Sequence, residues 1–308
     1  MADTHCDFAS VVLTLRPQRA ALLPLGLGRA AQAALLNWVR ELDPALAQAL
    51  HDDQTAVKPY TSSTLWGGRG VPGGQIEVEP ARTYRLRFTT LTPQLTALML
   101  TSLSSLHHLE LDYCPFTVES WTIDPRQETW AGCGEYQALA APHLLGQNSP
   151  SRYVELEFAS PTTFRSGGRN MPVPLPELVF GSLVDKWNAL SPVAVGAEVR
   201  RYAAECMAVA AYDLHSRAWP FKDALIVGGV GHCRYVMTVQ DRYWMSVVQM
   251  LAEWAIFAGV GAQTASGLGQ ARRPPRGPSP RAERENVPAP EVGRGQGVRG
   301  KTGKRSDE

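Results

Sequence analysis

Residues 257–270 read Phe257-Ala-Gly-Val-Gly-Ala-Gln-Thr-Ala-Ser-Gly-Leu-Gly-Gln270, so that two Gly-x-Gly pairs surround a short polar stretch. An apolar run with helical spacing precedes this glycine-rich loop, and a short strand is expected after it. Glycine permits positive φ and a close approach to a ligand, so its N–H groups can converge on phosphate oxygens. The order helix, glycines, strand excludes a P-loop or dinucleotide fingerprint, because both run strand, glycines, helix. Taken alone, the segment fits a tight helix-to-strand turn equally well.

The first half of the chain has the hydrophobic pattern of a β-α-β-β-α-β unit. Residues 8–15 alternate as a strand does, and residues 28–42 carry apolar side chains at helical spacing. The other elements are predicted as strands over 75–78 and 82–89, a helix over 93–106 and a strand over 109–123.

The second half repeats this pattern. Its elements are predicted as a strand over 153–158, a helix over 176–190, strands within 199–214 and 224–239, a helix over 241–257 capped by Asp241, and a last short strand. Two such units predict an α+β protein of two tandem ferredoxin-like (RRM-like) domains. We place an N-terminal domain at 1–145, a C-terminal domain at 150–273 and a disordered Pro/Gly/Arg-rich tail at 274–308.

Composition narrows the classes of function. The five cysteines form no CxxC pair, so neither a disulfide framework nor a metal site is expected. No stretch approaches the ~20 apolar residues that a membrane span needs, and no secretion signal is recognisable, so a cytoplasmic location is expected. Ten of the 30 Lys/Arg residues lie in 271–308, which leaves the rest of the chain slightly acidic and counts against a broad basic surface for nucleic acid.

Several segments together resemble one family. The stretch Leu35–His51 contains Asp43-Pro44 and ends in Leu50-His51, and Lys58-Pro-Tyr-Thr-Ser-Ser63 follows it. Phe158-Ala-Ser-Pro-Thr-Thr-Phe164 precedes Val179-Phe-Gly-Ser-Leu-Val-Asp-Lys-Trp-Asn188, and the glycine-rich loop comes last. In this order and spacing, the segments resemble the CRISPR repeat-processing endoribonucleases, which belong to the RAMP class of RNA-binding proteins. The resemblance spans nearly all of residues 10–273.

The resemblance implies a metal-independent endoribonuclease of antiviral defence that cleaves precursor CRISPR RNA within its repeats. Attack by a ribose 2′-hydroxyl would leave a 2′,3′-cyclic phosphate and a 5′-hydroxyl, and no cofactor is implied. The implied catalytic residues are His51, for proton transfer, and Lys58, for stabilising the phosphorane. The implied RNA-binding residues are Gly259, Gly261, Gln263, Thr264, Ser266, Gly267, Gly269 and Arg272.

The residues themselves fit these roles unevenly. His51 falls in the last turn of a short helix that Asp43 and Pro44 begin, and a helix C-terminus favours imidazolium. A histidine there can equally well cap carbonyl groups, and Lys58 can be an ordinary solvated lysine. Some family members share the acid–base work with a helix tyrosine, where this chain has Leu36-Asn37-Trp38. Tyr60 and Ser62 are the candidates to replace it.

Two other functions compete with the nuclease. A catalytically inactive RAMP-type protein would bind repeat RNA or serve as a structural subunit of a CRISPR effector complex, and the missing tyrosine favours it. A small-molecule enzyme that binds a nucleotide is poorly supported, since the glycine-rich loop of this chain lacks the Lys-Ser/Thr ending of a P-loop. The expected partner is a precursor CRISPR RNA repeat, with an effector complex and the choice between monomer and homodimer left open. Valine at Gly261 and Gly267 is expected to weaken RNA binding without moving His51.

Overall fold

The computed structural model describes residues 5–52, 57–221 and 224–274. The predicted tail lies almost wholly outside these residues. The first group of elements is β1 (Phe8–Pro17), β2 (Ala21–Pro24), α1 (Gly28–Leu42), α2 (Pro44–Asp52), β3 (Tyr60–Ser62), β4 (Arg69–Val71), β5 (Gln75–Val78), β6 (Tyr84–Thr90), α3 (Pro93–Ser102), β7 (His108–Leu111), β8 (Cys114–Thr122), β9 (Gly132–Gly134) and α4 (Tyr136–Leu144).

The second group begins after α4. It consists of β10 (Tyr153–Thr162), β11 (Phe164–Ser166), β12 (Arg169–Met171), α5 (Pro176–Leu190), α6 (Val199–Cys206), β13 (Met207–Phe221), β14 (Ala224–Met237), α7 (Arg242–Ala258) and β15 (Ala271–Arg272). Among the described residues, no helix is long and apolar enough to cross a membrane.

Each group builds an antiparallel sheet with helices on one face. In the first sheet the strand order is β3-β6-β1-β8-β7, with β9 also pairing with β1. Helices α1 and α3 pack onto it through side chains such as Leu35 and Met99. In the second sheet the order is β13-β14-β10-β15, and α5 and α7 cover it with Trp187 and Trp254. Two ferredoxin-like folds are therefore confirmed; the domain boundaries at residues 145 and 150 stay predictions.

The structure corrects three of the predicted elements. Gln75–Val78 belongs to a small separate sheet, β2-β5-β4, and the strand that pairs with β6 in the main sheet is Tyr60–Ser62. Residues 199–206 form α6 rather than strand, because Val199, Tyr202 and Ala203 are buried at helical spacing. Part of the expected interdomain connection is helical, since α4 runs to Leu144 and buries Tyr136 in the second core.

Candidate functional site

The short helix α2 ends at the first predicted catalytic residue. Its start is fixed by Asp43, whose Oδ1 accepts a hydrogen bond from the Leu46 amide at 2.9 Å, and by Pro44 in the first turn. Leu50 is buried in the first core and anchors the last turn, while His51 beside it is exposed. The helix therefore presents the His51 imidazole to solvent at its carboxyl end.

Lys58 returns to the same helix end. Its Nζ donates to the carbonyl oxygen of Leu50 at 3.4 Å, and the side chain is half-buried. The last carbonyls of a helix have no partner within the helix, and its negative end favours a cation. This contact places the Lys58 ammonium beside the residue that precedes His51. The structure thus places both predicted catalytic residues at the same end of α2, and their chemical roles stay predictions.

The hydroxyls of Tyr60 and Ser62, the two candidates to replace the missing tyrosine, are enclosed. Tyr60 is 1% exposed, and its hydroxyl accepts a hydrogen bond from Gln32 Nε2 at 3.1 Å. Burial raises the pKa of Tyr60, with the Gln32 hydrogen bond acting against it. Ser62 is fully buried and donates to the carbonyl of Ala265 at 2.6 Å. Neither hydroxyl is open to a substrate in this conformation.

The glycine-rich loop folds back on itself between α7 and β15. All four glycines of its two pairs have positive φ, from 61° at Gly259 to 93° at Gly267. The amide of Val260 donates to the carbonyl of Gly269 at 2.8 Å and closes the loop. A Cβ on Gly269 would stand 2.1 Å from the Val260 oxygen, so only glycine fits this closure.

The second part of the loop packs against the first half of the chain. Ala265 accepts the Ser62 hydrogen bond, and Ser266 Oγ lies 2.8 Å from Gln32 Oε1 on α1. A Cβ on Gly267 would lie 2.9 Å from the Gly28 Cα at the start of α1. Valine at Gly267 would therefore press on the start of α1, so this pair of substitutions changes packing as well as RNA binding. That it leaves His51 in place stays a prediction.

The predicted RNA-binding residues fall into two sets. Gly261, Gln263 and Thr264 are half-exposed. The others are enclosed or paired within the protein, namely Gly259, Ser266, Gly267, Gly269 and Arg272. Arg272 Nε donates to Glu157 at 2.8 Å, and its guanidinium stacks 4.2 Å from the ring centroid of Trp130. The surface part of the loop is therefore the stretch 261–264.

Lys186 is a residue of this site that sequence reasoning did not single out. It lies on α5, and its Nζ donates to the carbonyls of Ala258 at 3.1 Å and Gly259 at 3.0 Å, and to Thr264 Oγ1 at 3.4 Å. Burial lowers the pKa of Lys186 to about 7, with the charge of Asp185 acting in the opposite direction. The available signal was its place in the family-like segment 179–188, but no rule of spacing links it to the loop.

Arg87 is a second such residue, at the base of the loop. Its side chain is fully buried, and its guanidinium donates to Gln270 Oε1, Ser10 Oγ and the Ile256 carbonyl. Burial lowers the pKa of Arg87 to about 9, and the nearby charge of Arg272 acts in the same direction. Alternation along β6 sets Arg87 on the sheet face opposite to Leu86 and Phe88, and the loop and α7 cover that face as well.

Known proteins resemble this chain in both sequence and fold. Residues 156–271 match the family described as CRISPR-associated endoribonuclease Cas6. The structure resembles the Cas6 (TTHA0078) product complex with a TM-score of 0.69 and 27% identity, over 87% of this chain and 99% of that chain. It resembles a product complex of Cas6 (TTHB231), from Thermus thermophilus, with a TM-score of 0.71 and 26% identity, over 86% and 99%. A Cas6-related protein from Pyrococcus furiosus, 11% identical, shares the fold with a TM-score of 0.59 over 88% and 100%. No match was found among curated proteins.

Proposed function

We propose that the chain cleaves precursor CRISPR RNA within its repeats by a metal-independent transesterification. The match of residues 156–271 to the CRISPR-associated endoribonuclease Cas6 family and the likeness of the fold to Cas6 product complexes support this function. The ribose 2′-oxygen attacks the adjacent phosphorus as its proton leaves, and the bond from phosphorus to the 5′-oxygen breaks as that oxygen gains a proton. The products are a 2′,3′-cyclic phosphate and a 5′-hydroxyl. Such a step needs proton transfer and stabilisation of charge on the phosphorane.

The carboxyl end of α2 supplies groups of both kinds. His51 is exposed, so a bound ribose or leaving oxygen can reach its imidazole, which is the side chain most often used for general acid–base catalysis. The Lys58 side chain donates to the carbonyl of Leu50, the residue before His51. This juxtaposition of an exposed imidazole and an ammonium group is the observation that carries the proposal.

The RNA is held in part by the surface stretch of the glycine-rich loop. Gly261, Gln263 and Thr264 stand half-exposed there, with positive φ at Gly261 and Gln263. The amide of Gly261 donates to Ser182 Oγ and that of Ala262 to the Thr163 carbonyl. Phosphate oxygens would therefore be bound at Gln263 and Thr264, because backbone amides in such turns can bind anions. The repeat would therefore contact both the loop and the end of α2. The protein could bind the repeat in this way alone or as part of a CRISPR effector complex.

A labelled repeat RNA from the CRISPR array of the same genome tests the proposal. The purified protein should shorten this RNA in excess EDTA, and the upstream product should resist 3′-end labelling until its cyclic phosphate is removed. The matched control is the same RNA with a single 2′-deoxy nucleotide before the cut, which should bind but stay intact. A cut that needs Mg²⁺ and persists in the 2′-deoxy RNA would show that water is the nucleophile.

A catalytically inactive RNA-binding subunit is the second candidate. It is favoured by the enclosure of Tyr60 and Ser62, which leaves His51 without either of the expected hydroxyl partners. The same experiment separates the two functions. Tight binding of the repeat with no product at any protein concentration would establish the inactive subunit.

A further inference from the structure

The glycine-rich loop carries no charge of its own. Residues 259–270 contain no acidic or basic side chain, and neither does the last turn of α7, 255–258. The two arginines that follow are engaged elsewhere, Arg272 with Glu157 and Arg273 with Gln249. A nearby cation would strengthen the binding of an RNA phosphate by such a loop, because amide groups carry only partial positive charge and charge-assisted contacts are stronger.

Two cations reach the loop among the residues that the structure describes. Arg87 meets it at Gln270, where it is fully buried and separated from solvent. Lys186 meets it at Gly259 and Thr264, next to the surface stretch 261–264. Of the two, only Lys186 is close to the part of the loop that a ligand can approach.

Lys186 also offsets the partial negative charge at the carboxyl end of a helix. Helix α7 has 17 residues, and its carboxyl end, which carries partial negative charge, points into the loop at Ala258. The Lys186 ammonium lies on the carbonyls of Ala258 and Gly259 and so offsets this charge. Without it, the helix end would repel a phosphate at the neighbouring amides.

One face of α5 fixes the geometry of the same stretch. Ser182 precedes Lys186 by one helical turn, and its Oγ accepts the amide of Gly261 at 2.9 Å. The Lys186 ammonium holds Thr264 at 3.4 Å. These two side chains therefore fix both ends of the stretch 261–264, one by a neutral hydrogen bond and the other by a charged one.

We propose that Lys186 is a positioning residue that holds the glycine-rich loop in shape and supplies the positive charge with which the loop takes a backbone phosphate of RNA. The proposal rests on the RNA-binding function proposed above and names the group on which that binding depends. Lys186 acts through the loop and has no part in proton transfer at the cut.

The charged surroundings of Lys186 make this role depend on pH. Asp185, its neighbour on α5, favours the ammonium, and Arg200 of α6 donates to Asp185 at 2.6 Å and weakens that effect. Because burial lowers the pKa of Lys186 to about 7, the free protein loses this proton around neutral pH. A bound phosphate favours the ammonium and raises the pKa of Lys186 in the complex. Affinity should then be full below about pH 7 and fall as the pH rises above it.

The experiment measures affinity for a fluorescein-labelled repeat RNA made non-cleavable by a 2′-deoxy nucleotide at the cut. Wild type should bind about tenfold more weakly at about pH 8.5 than at about pH 6, the change expected when the pKa is higher by about one in the complex. Lys186→Met should bind about tenfold more weakly at the low pH and show little of this dependence. Ser182→Ala is the matched control: it removes the neutral contact one turn away and should keep the pH dependence of wild type.

The outcomes are distinct. A Lys186→Met protein that is folded by circular dichroism and keeps the pH dependence of wild type would overturn the proposal. If that variant does not fold, Lys186→Arg decides: an affinity independent of pH supports the role of Lys186, and a wild-type slope overturns it. A wild-type protein that binds no repeat RNA at either pH would instead overturn the proposed function, and this inference with it.

Discussion

The carboxyl end of α2 and the glycine-rich loop are built in opposite ways. His51 stands exposed on a helix whose anchoring is done by its neighbour Leu50. In the loop, by contrast, Gly267 and Gly269 are buried and have positive φ, with backbone atoms where a Cβ would lie. The His51 side chain can therefore be replaced without disturbing the fold, whereas most substitutions in the loop also disturb the packing around it.

The loop is also a joint between the two halves of the chain. Ser62 of β3 binds Ala265, Thr89 of β6 donates to the Phe257 carbonyl at 2.8 Å, and Arg87 holds Gln270. A residue pattern that suggests ligand binding thus serves packing over much of its length. In our proposal, RNA binding falls to the short stretch 261–264, next to the Lys186 side chain.

The largest expected effect is that of His51→Ala. Loss of a general acid or base typically costs a factor of about 100 to 10,000 in rate, and the variant should lose cleavage by about this much. Because His51 is exposed, the melting temperature should stay the same and repeat binding should remain within about threefold. Single-turnover cleavage and a binding titration measure the two quantities. Undiminished cleavage would remove His51 from the mechanism and leave α2 with a structural role.

In the glycine-rich loop, a single substitution should mainly lower the stability of the protein. Gly269→Ala must adopt φ of 66° and place its Cβ 2.1 Å from the Val260 oxygen, so the free energy of unfolding should fall by about 3 kcal/mol or more. Gly70→Ala in β4 is the matched control. Its Cβ meets no atom within 4 Å, and the change should be within about 0.5 kcal/mol. Equal denaturation midpoints for the two variants would contradict the packing described for the loop.

The sequence predicted the regular elements well where they carry their own caps and periodicity. Helix α1 and helix α5 have the predicted bounds of 28–42 and 176–190, and Asp241 caps α7 through the Trp244 amide. The prediction was wrong for α6, where Val199, Tyr202 and Ala203 already showed helical spacing. Strand β3 has only three residues, too few for alternation to mark it.

The site was predictable only in part, because its contacts join distant residues. The hydrogen bond from Ser62 to Ala265 joins residues 203 positions apart, and no residue pattern in either segment predicts it. Lys186 reaches a loop that begins 73 residues later. Local sequence patterns singled out His51 and the glycines. They could not show which glycines are buried or which cationic side chain contacts the loop.

Lys58→Met tests the charge at the end of α2. If the ammonium stabilises the phosphorane, cleavage should fall by about 100-fold, the typical cost of one lost donor to a developing anion. Lys58→Arg keeps a cation and should retain part of the rate. If Lys58 only caps the Leu50 carbonyl, the methionine variant should lose about 0.5 kcal/mol of stability and cleave normally. Single-turnover rates together with thermal melts distinguish these results.

The smallest effect should come from Tyr60→Phe, which joins the two regions. Tyr60 stands two residues after Lys58, yet its hydroxyl accepts from Gln32, which in turn lies 2.8 Å from Ser266 in the loop. Removing the hydroxyl should therefore cost about 1 kcal/mol of stability and leave cleavage within about twofold, because a group that is 1% exposed does not meet the ribose. Gln32→Leu removes this bond and the one from Ser266, so it should cost more stability than Tyr60→Phe and likewise leave cleavage nearly unchanged. A large loss of cleavage in a stable Tyr60→Phe protein would instead make Tyr60 the acid–base partner of His51. The residues that enclose Tyr60 would then have to move when RNA binds. The contrast between an α2 end that serves catalysis and a loop that serves packing would no longer hold.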